Sequence, residues 1–277
     1  MAARFIYGTL LIVAIFGLLA VDVFVFPAGR PCIAFLIGLL ALVGWWELVQ
    51  IFNSGTSSSR KGFFWFGLLG IAYFHALAVW AASPDSTVDY GDASLAGVAA
   101  LIFGAFCLAV FRRDFLECYR PALETVVGVL LLGFLFSHVG RLYQLPDGPR
   151  LVILLFAGIK GTDIAAFLIG KHWGRRRFLP VSPKKSVEGC LAALAWGALW
   201  FGSVALFLGP ESPWSVGMAA GLGIILAVVA QIGDFSESLI KRKYAVKDSR
   251  ALIPEFGGVL DLIDSLLFTG YLFWCVV

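Results

Sequence analysis

Charge is scarce in this sequence. Only 14% of its 277 residues are Asp, Glu, Lys or Arg, whereas a soluble domain needs about a quarter charged residues to face water. That shortage excludes an ordinary soluble enzyme or binding module. Cysteine is sparse and unpaired in pattern: Cys32, Cys107, Cys118, Cys190 and Cys275 form no CxxC, and most lie within or beside apolar runs, so packing is their expected role. The three histidines are His75 and His138 inside apolar runs and His172 in a basic loop. None stands at a metal-ligand spacing from another His or Cys, which argues against zinc. No GxxxxGK[ST] loop occurs, which disfavours a P-loop ATPase. There is no obvious internal repeat, and no low-complexity tract beyond one Ser run.

What the chain has in abundance is apolar surface. Hydrophobic residues make up 60% of it, including 25 Phe and 9 Trp, and the mean hydropathy is +0.90. Runs of about 17–23 apolar residues, long enough to cross a hydrocarbon core, recur along its length. About nine are expected, at 5–25, 31–52, 62–82, 94–111, 122–143, 151–170, 190–208, 214–232 and 259–277. The fold class is therefore all-α, a polytopic integral membrane protein. The first run has one flanking Arg and no convincing small-residue cleavage site, so a retained helix is expected rather than a signal peptide. Residues 1–150 read as N-terminal transmembrane helices with short connectors such as "NSGTSSSRKG" and "SPDSTVDYGD", whereas 151–277 gathers polar groups with no evident structural need.

Lys and Arg assign the sides. With nine spans, 17 of the 21 basic residues fall on the side of the N-terminus and three on the other, with Lys160 inside a span. Positively charged short loops stay in the cytoplasm, so the N-terminus and both large hydrophilic segments, 171–189 and 233–258, are expected there. The net charge of +3 adds little beyond some attraction to anionic lipid.

Four polar clusters carry the chemistry. In "KGTDIAAFLIG", Lys160 and Asp163 lie three apart on one helix face inside an apolar run, either as an ion pair or as part of a functional site. "SPKKSVEG" combines a Ser-Pro turn with Lys184, Lys185 and Glu188 and could hold a polyanion at the membrane surface. In "QIGDFSESLIKRK", a continuing helix puts Asp234, Ser238 and Lys241 on one face with Glu237 beside them. In "PEFGGVLDLID", Gly257 and Gly258 resemble a helix start with amides available to an anion, and Asp261 and Asp264 face one direction just inside the last span. Two such carboxylates repel unless a cation lies between them, and an all-oxygen donor set favours Mg²⁺ over Zn²⁺. Carboxylates for Mg²⁺ and ammonium groups for phosphate fit phosphoryl or nucleotidyl transfer, whose catalysis is mostly positioning and charge neutralisation.

At this point the run "SESLIKRKYAVKDSRALIPEFGGVLDLID", with "TDIAAFLIGKHWG" and "SPKKSVEG" upstream, resembles the phosphatidate cytidylyltransferase (CDP-diglyceride synthase) family over about residues 158–270. The resemblance implies an enzyme of phospholipid biosynthesis that joins CTP and phosphatidate into CDP-diacylglycerol and pyrophosphate with Mg²⁺, in the inner membrane, with its active site at the cytoplasmic face. Ser238, Lys241, Arg242, Lys247, Asp248, Gly257, Gly258, Asp261 and Asp264 match the family signature in register. Phe256 stands where it has His, and Leu262 where it has Arg.

By the same resemblance, Asp234 and Asp261 are the leading metal ligands with Asp264 near them. Lys241, Arg242, Lys247 and Asp248 belong to the catalytic wall that receives the triphosphate. Asp163, Lys184, Lys185, Glu188, Ser238, Gly257 and Gly258 belong to the substrate-binding part. The implied partners are CTP, phosphatidate and membrane lipids, with no nucleic acid and a homodimer left open. The alternatives are a family member with an altered acceptor or reduced activity, and a transporter that would bury the same acids as relays.

Overall fold

A computed structural model describes residues 2–26, 29–54, 61–83, 86–112, 114–246 and 258–277, with side chains from Val13 onward. The described residues form ten α-helices: α1 (Ala2–Phe24), α2 (Pro31–Asn53), α3 (Lys61–Trp80), α4 (Tyr90–Val110), α5 (Phe115–Val129), α6 (Phe136–Gln144), α7 (Gly148–His172), α8 (Val187–Leu208), α9 (Val216–Lys243) and α10 (Val259–Val276). A π-helical turn, Leu130–Leu135, joins α5 to α6, so these form one span, and a short 3₁₀ turn follows α8. Among the described residues, eight helices are long and apolar enough to cross a membrane. The first apolar run corresponds to α1, whose Val13–Phe24 part is also apolar. The protein is thus an all-α, multi-pass membrane protein.

The chain groups into two compact units, Met1–Pro149 with Tyr244–Ile263, and Arg150–Lys243 with Asp264–Val277. In the first, buried polar side chains terminate helices whose end groups find no water in lipid. Asp22 accepts the amides of Cys32 and Ile33, both at 2.8 Å, and so caps α2, while the Tyr143 hydroxyl donates to the same carboxylate at 3.0 Å. Arg30, at φ 41°, donates to the carbonyls of Tyr143 and Leu145 at the end of α6. Glu47, buried within α2, accepts the amides of Val259 and Leu260 at 2.9 and 2.8 Å and caps the start of α10. The imidazoles of His75 and His138 bond carbonyls of the π turn, those of Leu132 and Phe134.

Small residues build the second unit. Gly189, Ala193 and Gly197 repeat every fourth position on the buried face of α8, as Ala219, Gly223 and Ala227 do on α9. A Cβ on Gly197 would lie 2.3 Å from the Gly223 carbonyl oxygen, so the two backbones touch directly. This is how helices gain packing where lipid supplies no hydrophobic drive between them. Trp196 and Trp200, with rings stacked 6.1 Å apart, donate to the carbonyls of Gly158 and Leu154 and fasten α8 to α7. At 1.5 Å per residue the 28 residues of α9 extend about 42 Å, beyond a hydrocarbon core of about 30 Å. Its last two turns can therefore carry charge, and the charged stretch from Asp234 to Lys243 is helix rather than loop.

Candidate active site

The buried stripe of α9 changes chemistry along its length. Ala219, Gly223, Ala227, Ala230 and Gly233 are followed on the same face by Glu237 and Lys241. Gly233 lets α10 approach so closely that a Cβ there would lie 2.6 Å from the Asp264 carbonyl oxygen. The approach brings together three carboxylates, Asp234, Glu237 and Asp264, whose ligand atoms all lie within 4.8 Å of one another. Glu237 and Asp264 are only 7% and 6% exposed. Three acids packed so tightly, two of them buried, need positive charge or a retained proton among them.

Lysine supplies it. Lys185 bonds Asp234 and lies 4.4 Å over the Phe235 ring. Lys241 pairs with Glu237 at 2.7 Å within α9, both nearly buried. Lys160 lies 3.8 Å from Asp264, donates to Ser265 Oγ at 2.8 Å and pairs with Asp163 at 3.3 Å. Each acid of the triad thus faces a different lysine. A divalent cation fits the donor set: carboxylates alone, converging from two helices, are hard oxygen ligands of the kind Mg²⁺ and Ca²⁺ take.

Beside the triad lies a cavity of about 550 Å³, large enough for a nucleotide or a lipid headgroup. Asp163, Lys184, Lys185 and Asp234 line it together with Arg177, Ser182 and Gln231, and Ala166 and Phe167 add apolar wall. Its rim is the segment 173–186, folded back on itself. Arg177 and Ser186 pair as an isolated antiparallel bridge, Val187 donates to the Arg176 carbonyl at 2.9 Å, and Ser186 caps α8 through the Gly189 amide. Arg242 Nε reaches the Val181 carbonyl at 3.4 Å, so the end of α9 and this segment stand at the same end of the unit.

Asp163, Lys184, Lys185 and Asp234 meet at the cavity, with Asp264 in the adjoining triad. Glu188 is engaged with the segment itself: it accepts the amides of Arg175 and Arg176 at 3.1–3.3 Å and holds the turn. The buried face of α9 runs through Gly233, Glu237 and Lys241, while Asp234 and Ser238 are half-buried beside it. Asp261 accepts the Gly258 amide at 3.1 Å at the start of α10, within the first unit. Lys247, Asp248, Gly257 and Phe256 lie outside the described residues.

Three participants carry little signal in the sequence. Glu237 stands there only as a neighbour of the Asp234 face, although its i, i+4 spacing to Lys241 is a usable signal. Ser265, which bridges Lys160 and Asp163, and Glu47, which caps α10 from more than two hundred residues away, left no local trace.

The model of the Cytidylyltransferase family matches residues 4–277. A phosphatidate cytidylyltransferase of Synechocystis sp. is 41% identical over 132 residues, 48% of this chain and 44% of the relative. The uncharacterized protein YnbB of Escherichia coli K12 is 38% identical over 154 residues, 53% of this chain and 50% of the relative. Phosphatidate cytidylyltransferase 4, chloroplastic, of Arabidopsis thaliana is 34% identical over 195 residues, 67% and 47% of the two chains. The chain spans about half the length of these curated relatives.

Proposed function

Because this chain belongs to the cytidylyltransferase family, we propose that it is a phosphatidate cytidylyltransferase, making CDP-diacylglycerol and pyrophosphate from CTP and phosphatidate. The observation that carries the proposal is the pairing of a carboxylate triad, two of its three members buried, with a lysine-lined cavity at one end of a membrane-spanning helix bundle. A phosphate oxygen of phosphatidate attacks the α-phosphorus of CTP, the bond to the β-phosphate oxygen breaks, and pyrophosphate leaves with that electron pair. The acceptor monoester has a second pKa near about 6, so it is largely ionised at pH 7 and needs no strong base.

Mg²⁺ held by Asp234, Glu237 and Asp264 would neutralise charge on the triphosphate as pyrophosphate departs. Lys184, Lys185 and Arg177 hold phosphate oxygens in the cavity. Arg242 extends the basic rim, and Lys247 and Asp248 are assigned to it on sequence alone. Ala166 and Phe167 give the acceptor's glycerol and acyl chains an apolar approach. The site faces the cytoplasm from the cell membrane, with the N-terminus on the same side, a reading that rests on the partition of basic residues.

Purified protein given CTP, Mg²⁺ and phosphatidate should release pyrophosphate and form CDP-diacylglycerol in equal amounts. No product with any cytidine or lipid-phosphate pairing would overturn the reading. Phe256 and Leu262 in place of the signature His and Arg favour a second reading, an altered acceptor. It would be supported if another lipid phosphate outpaced phosphatidate in the same assay.

A further inference from the structure

We propose that Lys185 is an exchangeable counter-ion: it holds Asp234 while the cation is absent, and arrival of the cation releases its ammonium group into the cavity, where it meets phosphate. The inference deepens the proposed function and rests on the triad as the cation site. Its physical basis is that each carboxylate of the triad faces its own ammonium group, Lys160 being shared between Asp264 and Asp163. A triad of carboxylates within 4.8 Å is stable without a cation only when compensated. A divalent ion entering such a site competes with that compensation for the same carboxylate oxygens.

The three lysines differ in their freedom to leave. Lys241 is 7% exposed and reaches Glu237 from one turn along the same helix, so its stem is committed to the buried face. Lys160 is held three ways inside a span, by Asp163, Ser265 and the approach to Asp264. Moving either would leave an acid of the triad without its partner among buried side chains. Lys185 stands on the 173–186 segment rather than on a helix of the bundle, and both it and Asp234 are 26% exposed at their side chains. Both line the cavity, so a released Lys185 has water, and then phosphate, within reach of its flexible stem.

The exchange raises the charge of the site by two, because Lys185 gives up a carboxylate that the divalent cation takes while its own ammonium group stays tethered in the cavity; that surplus positive charge is what phosphate offsets. Cation binding and readiness for phosphate are then linked without any helix moving.

The experiment uses the full-length protein in detergent micelles with Mn²⁺ as probe and no nucleotide. Site-resolved acylation by an amine-reactive ester, read by mass spectrometry, should show Lys185 reacting several-fold faster once Mn²⁺ is added, with Lys160 and Lys241 unchanged. In Asp234→Asn, Lys185 should react fast with or without Mn²⁺. Lys185→Gln should bind Mn²⁺ more tightly than the wild-type protein, by about 3- to 10-fold for loss of a partly exposed competitor. A Lys185 reactivity that is unmoved or lowered by Mn²⁺, or a Lys185→Gln affinity equal to or weaker than wild type, overturns the exchange. Neither arm involves turnover, so an inactive preparation that gives these results would refute the proposed activity and leave the exchange standing.

Discussion

Replacing Gly233 with alanine should damage the protein although alanine is the better helix former. A methyl carbon at this position would sit 2.6 Å from the Asp264 carbonyl oxygen, and ordinary contact begins at 3.4 Å, so α9 and α10 must separate locally by about 0.8 Å. Forced repacking of this kind costs about 1–3 kcal/mol. Gly221 on the same helix is the control, because nothing lies within 4 Å of a Cβ there. Gly221→Ala should be neutral or stabilising by up to about 1 kcal/mol. In denaturant unfolding from mixed micelles, the two variants should therefore differ by about 1–3 kcal/mol, with Gly233→Ala the weaker. The displacement also exceeds the roughly 0.5 Å tolerance of a preorganised site, so Mn²⁺ affinity should fall by about 10- to 100-fold in Gly233→Ala and stay unchanged in Gly221→Ala. Equal stability and equal Mn²⁺ affinity in the two variants would refute the claim that this glycine sets the triad.

Asp264→Asn and Asp234→Asn keep the side-chain shape and remove one charge of the triad; each should abolish nucleotidyl transfer at limiting Mg²⁺ while leaving the circular dichroism spectrum intact, as rate and spectrum measured together will report. Lys241→Met leaves Glu237 buried beside an apolar side chain, so unfolding should become easier by about 3–5 kcal/mol, and added Mn²⁺ should restore part of that loss in the same assay. Glu47→Ala leaves the Val259 and Leu260 amides without their acceptor; at about 1.5–3 kcal/mol per charged hydrogen bond, hydrogen exchange at these two amides should accelerate by at least about tenfold, and an unchanged rate would mean that α10 is capped by something else.

The spans were legible in the sequence because crossing a bilayer is a demand on composition, and about 20 apolar residues announce themselves without reference to a partner. The pair of Lys160 and Asp163 was legible for a similar reason, since a three-residue separation on a helix is a local fact. Lys184 and Lys185 could be nominated as anion contacts from their charge and setting, Asp163 as a substrate-binding residue only through the family resemblance, and the fold collects all three at one cavity. Which acids converge was a different kind of question. Helical periodicity grouped Asp234 with Ser238 and Lys241, but the buried edge of α9 is drawn by Ala219, Gly223, Ala227 and Gly233, the residues small enough for α8 and α10 to approach, and it extends to Glu237 and Lys241. The sequence puts Asp261 and Asp264 on one face, one turn apart, and the family resemblance ranks Asp261 ahead of Asp264 as a metal ligand. The structure turns Asp261 to the Gly258 amide and places Asp264 beside Asp234 and Glu237. The pairing of Lys185 with Asp234 and the hold of Glu47 on α10 depend on how helices far apart in the chain cross. Membrane location follows from the sum of side-chain transfer energies, which any ordering of the helices would share; the site follows from backbone approach at a few glycines, which only the folded arrangement decides.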